Sequence, residues 1–135
     1  MSCAIQKKLG ALLIAVLFTL PSGMTALAAP DDYQFELVQP QIKQGTDAVV
    51  AVRLVHKPTG KPVPGAVIFQ TRLDMSPMGM ADMTAKATPI NTEEPGLYRF
   101  KAPITMEGDW AFHLAAKVPG ENDTVRGTVR IKAVK

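Results

Sequence analysis

From Tyr33 onward, apolar and polar residues alternate in short runs, and no stretch repeats with a helical period. In "YQFELV", Tyr33, Phe35 and Leu37 alternate with Gln34 and Glu36. "DAVVAVRLVH" from Asp47 is β-branched and can bury Val50, Val52 and Leu54, while "GAVIFQTRLD" from Gly65 can bury Val67, Phe69, Thr71 and Leu73. "GLYRFKA" sets Tyr98 and Phe100 against Arg99 and Lys101. "DWAFHLAAKV" puts Trp110, Phe112 and Leu114 on one face, with Ala111, His113 and Ala115 on the other. In "TVRGTVRIKAV", Val125, Val129 and Ile131 alternate with Thr124, Arg126, Thr128, Arg130 and Lys132. These are patterns of half-buried strands.

Turn residues separate the runs at Gln44-Gly45, Lys57-Pro58-Thr59-Gly60, Pro64-Gly65, Pro95-Gly96, Glu107-Gly108-Asp109 and Pro119-Gly120. Six clear strands and a weaker one near Met83–Thr88 predict an all-β fold. The spacing fits a single antiparallel immunoglobulin-like β-sandwich of about seven strands. Trp110, the only tryptophan, is its expected core anchor.

The first 28 residues read differently. Lys7 and Lys8 precede an uncharged, mostly apolar run from Leu9 to Leu20, and Ala26-Leu27-Ala28 is a small-x-small cleavage signal. That order marks a secretory signal peptide. The apolar run is shorter than the roughly twenty residues a helix needs to span a bilayer. Residues 1–28 are therefore expected to be cleaved, leaving 29–135 as one domain in the periplasm or another exported location. Membrane contact would come only through this segment if it stayed uncleaved.

Cleavage changes the composition. Cys3, the only cysteine, is lost, so neither a disulfide nor a thiolate ligand is available. Without Lys7 and Lys8, 15 basic residues become 13 against 12 acidic ones, a net charge of +1. No run of basic residues remains in the sequence to suggest nucleic acid or anionic lipid.

Catalytic chemistry is poorly provided for. His56 stands at a strand end and His113 alternates away from Trp110 and Phe112. No serine lies in a nucleophile elbow, Ser76 being followed directly by Pro77, and there is no glycine-rich phosphate loop or HExxH. Glu93-Glu94 and Asp31-Asp32 read as solvated surface. The expected role is not enzymatic.

One segment breaks the strand pattern. "LDMSPMGMADM", Leu73 to Met83, holds four methionines in nine residues around Pro77 and Gly79. Pro77 cannot donate to a ladder and Gly79 frees the backbone, so the chain turns here. Turned to a common point, the thioethers of Met75, Met78, Met80 and Met83 form a soft, neutral donor set suited to Cu(I), with Ag(I) as its surrogate. Met106 in "ITMEGDW" is a fifth candidate, and His113 would add an imidazole. The competing reading is packing at one end of the core, or an adaptable apolar surface for a partner.

"GKPVPGAVIFQTRLDMSPMGM" followed by "PGLYRFKAPITMEGDWAFHLAAKV" resembles the YtkA-like, or FixH-like, group of small bacterial exported domains. The shared features are a Pro-Val-x-Gly-Ala strand start, a Met-x-Pro-Met-Gly-Met-like turn, a Pro-Gly-x-Tyr strand and a Met-x-Gly-x-Trp strand start. They cover about Asp47 to Val118. The resemblance implies an immunoglobulin-like sandwich in the cell envelope and copper handling as a family theme, beside efflux or oxidase-assembly partners. Met75, Met78, Met80, Met106 and Trp110 carry the match; Met83 rests on proximity alone. The expectation is thus an exported domain that binds Cu(I) or another soft ion and exchanges it with a cell-envelope protein. Its rival is a metal-free module docking through the Met/Pro loop.

If the small-x-small site is used, the exported protein begins at Ala29-Pro30. Intact-mass analysis of an envelope extract should find that species. A membrane-retained chain still carrying residues 1–28 would contradict it.

Overall fold

Each alternating run becomes a strand in the computed structural model, which describes residues 30–135. The signal segment and its cleavage site lie outside the described residues. Among those described, no helix is long and apolar enough to cross a membrane. The strands are β1 (Tyr33–Leu37), β2 (Gln41–Lys43), β3 (Gly45–His56), β4 (Lys61–Pro62) and β5 (Val67–Met75). They continue as β6 (Met80–Ala85), β7 (Thr88–Ile90), β8 (Leu97–Ile104), β9 (Gly108–Lys117) and β10 (Val125–Val134). Two single 3₁₀ turns, Pro30–Asp32 and Ser76–Met78, complete the described chain.

One sheet has the order β1-β3-β8-β7, and the other β2-β10-β9-β5-β6. Short β4 pairs with β3 at Val55 and His56, on the side that β8 vacates beyond Arg53. This is the immunoglobulin arrangement: first, second, fifth and fourth strands of the motif in one sheet, and the strands around β9 in the other. The chain is an immunoglobulin-like β-sandwich. Its first strand is divided between the sheets, because Pro40 cannot continue a ladder and the chain crosses there into β2.

Two expectations need correction. The strands number ten among the described residues, and β2 runs parallel to β10, so the sandwich is not wholly antiparallel. Strands of two or three residues such as β2, β4 and β7 are too short for alternation to register. The second correction concerns β5, where Val67 and Phe69 were expected inside. Both are exposed, at 63% and 53%. The register against β9 slips between Ile68 and Gln70, so Phe69 is an extra residue in a bulge. The inward positions accordingly pass from Leu73 and Thr71 to Ile68, which packs against the core.

The remaining inward residues follow the alternation. Val50, Val52 and Leu54 of β3 are wholly buried, as are Leu73, Phe112, Val125 and Ile131 of the opposite sheet. Phe100 of β8 meets Phe112 of β9 edge to face across the sheets, with ring centroids 5.3 Å apart at 82°. Such aromatic pairs add about 0.5–1.5 kcal/mol beyond their buried area. This contact and its neighbours join the sheets without a disulfide. At the other edge, Phe35 lies over Gly127, where a Cβ would fall 2.6 Å from Phe35 Cδ2. An inward glycine on β10 therefore makes the space that β1's phenylalanine fills.

Trp110 is buried and its indole N–H donates to the Met106 carbonyl at 3.1 Å, so the ring fills the core and ties down the loop before β9. Trp110→Ala should cost about 3–5 kcal/mol in urea or thermal unfolding. A loss below about 1 kcal/mol would mean that the ring contributes little to packing.

Candidate functional site

The turn between β5 and β6 is set by three neighbouring residues. Ser76 and Pro77 open a single 3₁₀ turn, for which proline's fixed φ is suited. Gly79 closes it at φ 73°, ψ 17°, a left-handed conformation where glycine carries no steric penalty, and its N–H donates to the Ser76 carbonyl at 2.9 Å. Across this turn Met75 and Met80 are paired in register.

Alternation along β5 sends Leu73 and Met75 into the core and Arg72 and Asp74 to the outer face. Met75 is wholly buried, and Met80 is partly buried against the same core. Met78 is 50% exposed. Met75 and Met78 both reach Gly108, the first residue of β9. A Cβ on Gly108 would lie 3.2 Å from the Met75 methyl and 3.7 Å from the Met78 methyl. Gly108 has φ 128°, so this corner is kept open by a backbone conformation that other residues rarely adopt.

The structure thus gathers Met75, Met78 and Met80 around one corner. Met106 stands two residues before Gly108, 37% exposed, and enters the corner's hydrogen bonding through its carbonyl. Met83 is 41% exposed on β6, in the stretch where the register with β5 slips. His113 stands apart from the thioethers, on the outer face of β9. Its Nδ1 is 2.9 Å from the Thr128 hydroxyl, and its Nε2 is 3.3 Å from Asp74 Oδ2. No group of three or more His, Cys, Asp or Glu side chains suited to a metal occurs among the described residues. Beside Met78 and Gly108, Glu107 is the carboxylate that lines the hollow at this corner.

Asp74 supplies what the sequence reading missed. It is 3% exposed, and its two oxygens serve three partners. Oδ1 accepts the Ser76 backbone N–H at 3.1 Å, and Oδ2 accepts Arg72 Nε at 2.9 Å and faces His113 Nε2. Arg72 also donates through Nη2 to the Ala81 carbonyl at 3.2 Å, beyond the turn. One arginine and one aspartate therefore brace the methionine turn on both sides. The signal was present in Arg72-x-Asp74, two charges on one strand face, but only the fold shows that a register pair with β9 brings His113 to them.

Burial alone would raise the Asp74 pKa. Hydrogen bonds from Ser76 and Arg72, and the charge of a protonated His113, outweigh it and hold the carboxyl at about 2, below its ordinary 3.8. The folded pKa lies below the unfolded one, so the unfolded chain takes up the proton first. This stabilisation is complete above about pH 5 and is lost as pH falls through 4 towards 2; it is on the order of 2 kcal/mol, partly screened on the exposed Arg72 side. Asp74→Asn should lower stability at neutral pH by about 1–3 kcal/mol and flatten the loss below about pH 5 in urea titrations. An unchanged acid limb in the variant would contradict this.

No curated protein matches the chain. Similar solved structures include a ZirS C-terminal domain, at 11% identity and TM-score 0.47, covering 100% of this chain and 88% of that one. The Lin-41 filamin domain is similar at 15% identity and TM-score 0.43, covering 74% of this chain and 91% of that one. The sequence profile of the YtkA-like family matches residues 27–115, a span that contains the whole turn, Gly108 and most of β9. On that match, the chain belongs to the YtkA-like family.

Proposed function

We propose that this is an exported, non-catalytic domain that holds a soft monovalent ion, Cu(I), at the methionine turn and exchanges it with a cell-envelope partner. The observation that carries the reading is the convergence of Met75 and Met78 on Gly108, with Met80 in register opposite Met75. Three neutral thioethers suit a soft d¹⁰ ion and discriminate against Mg²⁺ and Ca²⁺, which require oxygen donors. Met106, two residues before Gly108, is the nearest further methionine in the sequence. Buried Met75 would meet the ion from the core side, while half-exposed Met78 offers the way in and out. Thioethers bind without losing a proton, so loading and release need no proton transfer.

The second reading is a metal-free docking loop. It is favoured by the exposure of Met78, Met83 and Met106, three unbranched, polarizable side chains able to adapt to an apolar partner.

Leucine separates the two. Met78→Leu with Met80→Leu keeps volume and apolarity, at a cost below about 1.5 kcal/mol. Apolar docking should survive, whereas Cu(I) affinity, measured in competition with a chelator, should fall at least about tenfold because the described chain has no thiol to substitute. Parent affinity should be similar near pH 7 and pH 5, since His113 lies on the other face. A parent that fails to compete with a weak Cu(I) chelator at either pH would sink the metal reading and leave the docking loop.

A further inference from the structure

The sequence has no basic run, yet folding collects one. Alternation along β10 sends Val125, Gly127, Val129 and Ile131 inward and Arg126, Arg130 and Lys132 outward. The same rule places Arg72 of β5, Lys117 of β9 and Lys43 of β2 on that outer face. On β2, β5, β9 and β10 six of the 13 basic residues after residue 28 stand there, against two of the 12 acidic ones, Asp74 and Asp109; exposed Asp82 lies on the edge strand β6. Asp74 is occupied by Arg72 and His113, and Asp109 lies opposite Lys132 in register. Among the described residues Arg126, Arg130 and Lys132 take part in no salt bridge. The rest of the described chain carries a net negative charge, so the positive potential belongs to this face and not to the protein as a whole.

The face also has relief. Its middle strand presents the small residues Ala111 and Ala115, both buried between the longer side chains of β5 and β10. Over Ala115 lies a hollow of about 100 Å³, lined by Gln70, Arg72, His113 and Arg126. Arg126, in no salt bridge among the described residues, offers the recess a guanidinium fork of the kind that takes a carboxylate in two parallel hydrogen bonds, and Arg72 adds positive charge on the opposite wall. Arg72 and His113 already face one carboxylate, that of Asp74.

We propose that the outer face of β5, β9 and β10 is a docking surface for an acidic segment of a partner protein, with a Glu or Asp side chain seated in the hollow between Arg72 and Arg126. Charge complementarity selects an anion. The recess favours a side chain on an extended segment over a flat bilayer, whose headgroups would meet the rim before the alanine floor. The surface adjoins the methionine corner through Arg72 and Lys132 but uses none of its thioethers, and the proposal stands whether or not the turn holds an ion.

The test is fluorescence anisotropy of a rhodamine-labelled hexaglutamate peptide with the full chain. Salt is raised from about 0.01 M to about 1 M, which shortens the Debye length from about 30 Å to about 3 Å. The parent should bind at low salt and release the peptide at high salt. Arg126→Glu with Arg130→Glu should weaken binding about tenfold or more, as expected when charges change sign at a contact. Arg99→Glu with Lys101→Glu, on the outer face of the other sheet, makes the same change in net charge and should leave affinity within about twofold. Circular dichroism would confirm that both variants fold. Absence of parent binding at low salt, or equal weakening by both pairs, overturns the proposal. So does tighter binding to phosphatidylglycerol vesicles than to the peptide, which would make the face a membrane contact.

Discussion

The Asp74 carboxylate is the one buried polar or charged side chain among the described residues, and it sits where β5 gives way to the methionine turn. A buried charge is tolerated only when its oxygens are satisfied, and here an arginine, a backbone N–H and a histidine share that task. Its side chain must point outward for these bonds to form, which obliges Leu73 and Met75 to point inward. The same arginine reaches past the turn to Ala81. Strand, turn and β6 are thus held by one charge cluster, and the placement of the thioethers follows from it.

The rest of the sandwich gives this cluster a rigid seat. Trp110 and Phe112 on β9 fill the interior beside Leu73 and Met75, and the indole secures the loop that delivers Gly108 to the methionines. Because Met75 belongs to the core as well as to the turn, the corner is linked to the packing of both sheets. An ion bound there and not by the unfolded chain would add stability that grows with the logarithm of its free concentration above the Kd. Release would be governed at the exposed Met78, the part of the corner that can move without disturbing the core.

Much of the fold was legible because period-two alternation and turn residues are local signals. Val50, Val52, Leu54, Phe100, Phe112 and Ile131 all lie where the pattern put them. Phe69 did not, since a bulge reverses the alternation and nothing in "GAVIFQTRLD" marks the extra residue. Strands of two or three residues were invisible for want of length, and the parallel pairing of β2 depends on a crossing between sheets that no local pattern encodes. The methionine turn was readable from Pro77 and Gly79. What could not be read was which sulfurs meet: Gly108 lies 29 residues beyond Gly79 and joins the corner only through sheet pairing. His113 was separated from the thioethers by face, a distinction that depends on the actual β5–β9 register. The basic face has no local signature for the same reason, its cations being spaced along four strands and never adjacent in sequence.

The central claim is that a soft ion is held by the thioethers of Met75 and Met78, which meet at Gly108, and of Met80, paired with Met75. It is tested most directly by titrating Ag(I) into protein labelled with ¹³C at the methionine methyls and following each resonance. The account predicts that the Met75, Met78 and Met80 methyl signals shift together and saturate at a single equivalent, while Met83 on the edge strand stays in place. If none of the three moves, or if Met83 shifts in step with them, the thioethers at this corner are not a selective site and the account fails.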